Sequence, residues 1–305
     1  MVSVDRREHC FANETGDAKI TVYSVLPGIE VAYHAVHMDQ FDIGQTMRGN
    51  LIEIHHCQEG RIEQKFKNGL FYLMPGDMSV AIRSQSVASY RFPLRHYHGI
   101  TIAINLDAAP SCLSDYLNGV PVRPMEIAQR LCQDRSSFVA RSERYVEHVF
   151  AEMYSVPEKI RPGYLKIKVL ELMMVLGEIV PVDSRHSKSG LSLKQVELAQ
   201  NVAAYLTRHL DSHVTIPKLA EIFGVSDTTI KTAFKEVYGV PIYSFGRIQK
   251  MLMAAQQLIH TERSILDIAS ECGYDNGSKF SDAFRKVIGE TPSEYRRAHG
   301  KRNFG

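Results

Sequence analysis

The feature that most constrains this chain is an internal repeat in its C-terminal third. One copy starts with residues 216–226 and the other with residues 265–275. At a shift of 49 positions the copies share hydrophobic and small residues, which pair as Ile216 with Ile265, Leu219 with Ile268, Ala220 with Ala269, and Gly224 with Gly273. The second copy then has one extra residue, and at a shift of 50 the pairs are Ile230 with Phe280, Ala233 with Ala283, Phe234 with Phe284, Lys235 with Arg285, and Gly239 with Gly289. The repeat indicates two copies of one supersecondary unit.

Each copy has the order of elements that a helix-turn-helix requires: a short helix, a turn containing glycine, and a longer helix. Gly224 and Gly273 can adopt the positive φ that often ends a helix. Ser226 in the first copy, and Asp275 or Asn276 in the second, are candidate N-caps for the longer helix. The sequence therefore predicts two helix-turn-helix units in tandem.

The longer helix of each copy has one apolar face, so the opposite face is predicted to be exposed. The outward positions carry mainly basic and hydroxyl residues, which are Thr228, Lys231, Thr232 and Lys235 in the first copy and Ser278, Lys279, Ser281, Asp282 and Arg285 in the second. A single helical hairpin is common in proteins of many functions. Two tandem copies with similar residues at equivalent outward positions are far more specific.

Residues 195–297 resemble the DNA-binding domain of AraC/XylS-type transcription regulators. The segment 247–259 is similar to the helix that links the two units of that family, and the segment 264–274 is similar to the start of the second unit. The segment 280–296 resembles the family signature. Gly277 departs from it, because the family usually has a larger polar residue at this early position of the second helix.

The resemblance implies that the outward residues enter the major grooves of double-stranded operator DNA. Lys231, Lys235 and Arg285 are then expected to contact guanine edges or phosphates, and the hydroxyl residues are expected to contact phosphates or thymine methyl groups. Asp282 either accepts a hydrogen bond from a cytosine amino group or orients Arg285. The resemblance also implies a regulator with RNA polymerase and a small-molecule effector of unknown identity as further partners.

Short strands separated by turns fill about residues 20–106, and amphipathic helices fill about residues 142–180. The expected fold class is α+β, with an N-terminal cupin-like β-barrel plus helices and a C-terminal all-α domain with two helix-turn-helix units. We expect an effector-binding and dimerisation domain over 1–182, a polar linker over 183–190, and a DNA-binding domain over 191–305.

The helical region offers a candidate dimer interface. Leu165, Val169, Leu172, Met173 and Leu176 follow helical spacing. This apolar stripe is expected either to form the seam of a homodimer or to pack on the barrel of its own chain. Substitution of Leu172 or Leu176 by aspartate separates the two alternatives.

Histidines are frequent in the strand-rich region, and His96 and His98 share one face of a strand. A cupin metal site also needs a carboxylate and a further histidine, and neither follows at a recognisable spacing. The sequence therefore favours structural or surface histidines and predicts no metal and no cofactor. Nucleophile elbows, phosphate-binding glycine loops and CxxC pairs are absent from the sequence, so we expect no enzyme activity.

Two other functions remain open at this point. One is a regulator without a small-molecule effector, controlled by a protein partner, and the other is a cupin metalloenzyme fused to a DNA-binding domain. The net charge of +2 does not by itself argue for nucleic acid. No apolar run has the length of a membrane span, and the charged N-terminus lacks a secretory pattern, so we expect a cytoplasmic protein.

Overall fold

The computed structural model describes residues 6–42, 50–66, 69–83, 89–133, 137–141, 144–180, 192–210, 212 and 214–299. The chain divides into two compact units, Met1–Leu191 and Ser192–Gly305. The predicted linker, 183–190, lies outside the described residues. Among the described residues, no helix combines the length and the apolar character that crossing a membrane requires.

The first unit consists mainly of antiparallel strands. They are β1 (Arg6–Asn13), β2 (Gly16–Leu26), β3 (Ile29–His37), β4 (Gln40–Asp42), β5 (Leu51–Gly60), β6 (Ile62–Phe66), β7 (Gly69–Leu73), β8 (Asp77–Arg83), β9 (Ser89–Arg91), β10 (Tyr97–Asn105) and β11 (Ser137–Arg141). In β2 the side chains of Ala18, Ile20 and Val22 are buried while the residues between them are more exposed, as the two-residue period of a strand requires.

These strands form two sheets. The larger sheet has the order β1-β2-β3-β10-β5-β8-β11, and the smaller has the order β4-β9-β6-β7. The predicted region of short strands is confirmed, and it extends to β1 and β11 on either side. The cupin-like barrel is not confirmed, because the described strands of the larger sheet run from one edge, β1, to another, β11, without closing.

Among the residues described in this unit, three α-helices pack on the sheets, namely α1 (Pro124–Cys132), α2 (Arg144–Ser155) and α3 (Arg161–Glu178), and a short 3₁₀ helix spans Ser114–Tyr116. Leu172 and Leu176 of α3 are fully buried and belong to one core with strand residues such as Ile54 and Ile102. The expected dimer seam through Leu172 and Leu176 is therefore wrong. Their side chains pack inside their own unit, which agrees with the alternative prediction that the stripe packs against strands of its own chain.

The second unit is built from helices only, among its described residues. They are α4 (Leu193–Arg208), α5 (Ile216–Phe223), α6 (Asp227–Tyr238), α7 (Ile242–His260), α8 (Ile265–Glu271), α9 (Gly277–Ile288) and α10 (Pro292–His299). The pairs α5–α6 and α8–α9 are the two predicted helix-turn-helix units. The fold is thus mixed, with sheets and helices in the first unit and helices in the second.

Candidate nucleic-acid interface

The longer helix of the first helix-turn-helix unit, α6, is defined by a cap at each end. The Ser226 hydroxyl accepts a hydrogen bond from the backbone N–H of Thr229 at 3.1 Å, as expected for this residue. Gly239 ends the helix with φ +75°. Ile230 and Phe234 are fully buried, so the rotation of α6 about its axis is fixed by the core.

That rotation exposes the predicted outward face of α6. The side chains of Thr228, Lys231, Thr232 and Lys235 are all exposed. Positions three and four apart lie on the same side of a helix, so these residues form one continuous polar surface. We call this surface, Thr228, Lys231, Thr232 and Lys235, the α6 face.

The second helix-turn-helix unit repeats this construction, with an N-cap that accepts two hydrogen bonds instead of one. The Asn276 side chain accepts hydrogen bonds from the backbone N–H groups of Ser278 at 2.8 Å and Lys279 at 3.1 Å, so Asn276 and not Asp275 is the N-cap of α9. Gly289 ends the helix with φ +97°. Phe280 and Phe284 are fully buried and fix the rotation of α9.

The predicted outward residues of α9 also lie on the surface. Ser278, Lys279, Asp282 and Arg285 are exposed, while Ser281 is half-buried. We call this set, Ser278, Lys279, Ser281, Asp282 and Arg285, the α9 face. One carboxylate oxygen of Asp282 lies 3.4 Å from a terminal guanidinium nitrogen of Arg285, which is the geometry expected if Asp282 orients Arg285.

The turns of the two helix-turn-helix units differ in length by one residue, as the change from a shift of 49 to a shift of 50 between the repeats indicated. In the first turn Gly224 is itself the C-cap of α5, with φ +65°. In the second turn Cys272 is the C-cap of α8 with helical backbone angles, and the following Gly273 has φ +81°. Both glycines use the positive φ that a side chain disfavours.

Other basic residues of the second unit have structural roles instead. The Arg296 guanidinium donates hydrogen bonds to the carbonyl oxygens of Leu258 at 3.3 Å and Arg263 at 2.6 Å, which joins α10 to the end of α7. Arg263 is paired with Glu271, and its hydrogen bond lowers the pKa of that carboxyl group, with a further hydrogen bond from Gln257. A basic side chain near the helix-turn-helix units is thus not by itself a candidate DNA contact.

A second group of candidate functional residues, which the sequence did not reveal, lies in the first unit. The rings of His37, His96 and His98 lie together, and their candidate ligand nitrogens are all within 4.8 Å of one another. Glu59 adds a carboxylate oxygen 3.2 Å from His96 Nε2. Burial lowers the pKa of His98, the neighbouring His96 acts in the same direction, and Glu59 opposes both. The HxH spacing of His96 and His98 was the available signal, but their partners come from other strands.

The second unit is similar to known proteins. A family model described as a helix-turn-helix domain matches residues 219–298. The regulatory protein SoxS of Escherichia coli (strain K12) is 33% identical over 100 residues, which are 33% of this chain and 94% of SoxS. The right origin-binding protein of the same strain is 31% identical over 113 residues, which are 37% of this chain and 39% of that protein.

Among solved structures, the C-terminal domain of AraT, a response regulator from Geobacillus stearothermophilus, is similar with a TM-score of 0.33 and 28% identity, over 35% of this chain and 90% of that one. The names of these two relatives describe a regulatory protein and an origin-binding protein. Because this chain matches almost the whole of SoxS and carries both helix-turn-helix units, it belongs to the AraC/XylS-type DNA-binding transcription regulators.

Proposed function

We propose that this protein is a sequence-specific regulator that places α6 and α9 in successive major grooves of double-stranded DNA. The observation that carries the proposal is the pair of faces defined above, which expose a hydroxyl residue (Thr228, Ser278) and a basic residue (Lys235, Arg285) at equivalent positions of the two helix-turn-helix units. Successive major grooves on one side of the duplex are about 34 Å apart. The two recognition helices are therefore expected to contact sequence elements one helical turn apart.

Each face offers the donors that such contacts need. Lys231 and Lys235 on α6, and Arg285 on α9, can donate hydrogen bonds to guanine edges or to phosphates. A guanidinium donates two parallel hydrogen bonds to guanine, and the neighbouring carboxylate of Asp282 restricts its orientation. Arg285 is accordingly the residue that we expect to discriminate most strongly between bases.

Selection of binding sites from random duplexes by the full-length protein tests this function. We expect the recovered sequences to share two elements whose centres lie about 10–10.5 base pairs apart. The double variant Lys231→Ala/Arg285→Ala is expected to recover no common sequence. Lys194→Ala, which removes an exposed charge from α4, serves as the matched control and is expected to recover both elements. A single conserved element recovered by the wild-type protein would contradict the proposal.

We further propose that the first unit, about residues 1–182, controls this activity by binding a small-molecule effector, and that the regulator acts in the cytoplasm on RNA polymerase. A buried polar cluster in this unit supports a ligand-binding role. His55 lies 2.9 Å from the hydroxyl of Thr101 through Nδ1 and 3.3 Å from a carboxylate oxygen of Glu53 through Nε2, and all three residues are buried. These groups are hydrogen-bonded to one another, which offsets the cost of burying them, and a few polar groups placed in an apolar interior are what a small-molecule site uses to orient its ligand.

A thermal-shift screen of the full-length protein, followed by operator binding, tests effector control. A compound that raises the melting temperature and changes operator affinity would support it, because a ligand alters an equilibrium only through different affinities for the two states. Compounds that bind and leave operator affinity unchanged would contradict it.

We also propose that the protein is a homodimer joined through the outer side of α3 and its N-cap. Ile160, Ile167 and Met174 are spaced seven residues apart, and their exposed fractions are 53%, 62% and 39%. A seven-residue apolar spacing is the pattern by which two helices pack along each other. This stripe replaces the buried Leu172 and Leu176 as the candidate seam.

Sedimentation of Ile167→Glu tests the dimer. The variant is expected to be monomeric at concentrations where the wild-type protein is dimeric, because the seam would have to bury a carboxylate. Lys166→Gln makes the same change of charge on the neighbouring residue and is expected to stay dimeric. A dimer of unchanged stability in Ile167→Glu would place the seam elsewhere.

A further inference from the structure

The histidine cluster of the first unit is built by strand register. β3 and β10 are antiparallel, with Val36 opposite Tyr97 and Ala35 opposite His98. Continuing this register by one residue places His37 directly opposite His96. Side chains alternate between the two faces of a strand, so His37, His96 and His98 project from the same face, while Val36 and Tyr97 are buried on the other.

The rings of the cluster are in mutual contact. The ring centroid of His37 lies 5.5 Å from the ring centroid of His96 and 5.5 Å from that of His98. The ring centroids of His96 and His98 are 4.8 Å apart. The candidate ligand nitrogens are all within 4.8 Å of one another. Three nitrogens bound tetrahedrally to zinc at about 2.0–2.1 Å lie roughly 3.3 Å apart, so these nitrogens need to approach one another by about 1.5 Å or less to bind one ion.

A carboxylate from a third strand lies beside two of the three histidines. Glu59 of β5 is paired with His98 in the sheet. Its Oε2 lies 3.2 Å from His96 Nε2 and 3.8 Å from His98 Nδ1. Three imidazoles and one carboxylate make up four ligands, which is the number that zinc takes in a closed tetrahedral site.

The backbone at the end of β5 packs tightly against the backbone of His96. The N–H of Arg61 donates a hydrogen bond to the carbonyl oxygen of His96 at 3.3 Å. Gly60 has φ +76°, and a Cβ at this position would lie 1.9 Å from that same oxygen. Only glycine permits this approach of β5 to the start of β10, so the position of Glu59 relative to the histidines is fixed by the fold.

The cluster is also accessible to an ion. The exposed fractions of the His96 and His98 side chains are 22% and 33%, and that of Glu59 is 57%. Imidazole nitrogens with a carboxylate suit zinc and the neighbouring divalent transition metals, whereas calcium and magnesium prefer oxygen ligands alone.

We propose that the first unit binds one divalent transition-metal ion, with zinc as the preferred ion, through His37, His96, His98 and Glu59. The ion would join the end of β3, the start of β10 and the end of β5. This inference is independent of the proposed DNA contacts, which lie in the other unit.

Titration of the full-length, tag-free protein with Zn²⁺ after chelator treatment tests the site. We expect one equivalent to bind with measurable affinity and to raise the melting temperature. Co²⁺, which accepts the same ligands, is expected to give the intense visible absorption of tetrahedral coordination. This spectrum reports the ligand set of the wild-type protein directly and does not depend on the folding of any variant.

Two ligand variants and one control sharpen the result. His37→Gln and His98→Gln are each expected to weaken Zn²⁺ binding by more than about 10-fold and to abolish the tetrahedral Co²⁺ spectrum. His148→Ala removes a histidine that is 69% exposed on α2 and is expected to leave both unchanged. The proposal would be overturned if the wild-type protein bound no Zn²⁺ or gave an octahedral Co²⁺ spectrum. It would also be overturned if both ligand variants bound Zn²⁺ as tightly as the wild-type protein does.

Discussion

The two helix-turn-helix units share one framework and differ on the surface that it exposes. Their core positions repeat, with Phe234 of α6 equivalent to Phe284 of α9 and both fully buried. On the exposed side, Thr232 occupies the position of Asp282, and Lys235 occupies the position of Arg285. Packing requirements are thus the same in both units, whereas the candidate contacts are not. We infer that the units read different sequences.

The largest effect on stability is expected at the core positions that the two helix-turn-helix units share. Phe234→Ala and Phe284→Ala each remove a fully buried aromatic ring, and each is expected to lower the free energy of unfolding by about 3–5 kcal/mol. Urea unfolding of the full-length protein, monitored by circular dichroism of its helices, measures the free energy of unfolding of both variants. Lys194→Ala on the surface of α4 is the control and should change stability by less than about 0.5 kcal/mol. A small effect in only one phenylalanine variant would break the equivalence of the cores.

A smaller effect separates the two caps. Ser226 accepts one backbone N–H bond, whereas Asn276 accepts two. Replacing such a cap by alanine costs about 0.5–2 kcal/mol. We expect Asn276→Ala to lie near the upper end of this range and Ser226→Ala near the lower end. Thermal unfolding of the two variants gives the order, and a larger loss in Ser226→Ala would contradict it.

The smallest effect on stability is expected where the exposed faces differ. Asp282 and Arg285 are both more than half exposed, so their ion pair stabilises the fold by about 0.2–1 kcal/mol at most.

The variants Asp282→Thr and Thr232→Asp exchange the equivalent residues of the two helix-turn-helix units. The first is expected to increase binding to random DNA by removing a negative charge, and the second to decrease it. The affinities for random duplexes at two salt concentrations measure both, and shifts in the same direction would contradict the comparison.

The sequence was informative about the second unit because its information is local. Glycines, N-caps and apolar spacing define α5, α6, α8 and α9, and the internal repeat gives each pattern a second occurrence. Even the face of each recognition helix followed from the spacing of residues such as Phe234. The choice between Asp275 and Asn276 as N-cap, and the half-buried position of Ser281, required the structure.

The first unit was less predictable because its arrangement depends on distant pairings. Strands could be recognised from alternation, but neither the sheet order nor the absence of barrel closure among the described strands follows from it. His37 and His96 meet only because β3 and β10 are in a particular register. Likewise, the apolar stripe of α3 that includes Leu172 has the same appearance whether it faces its own sheet or another chain.

The most direct test of the central claim is operator binding by the single variants Lys231→Ala and Arg285→Ala. If each unit reads its own part of the operator, each variant should weaken specific binding by about 1–3 kcal/mol and relax base preference in a different element of the site. If the side chains contact phosphates only, binding to specific and random DNA should fall together, with a smaller dependence on salt. Unchanged operator affinity in both variants, or loss of preference in the same element, would contradict the claim that α6 and α9 are separate readers of DNA.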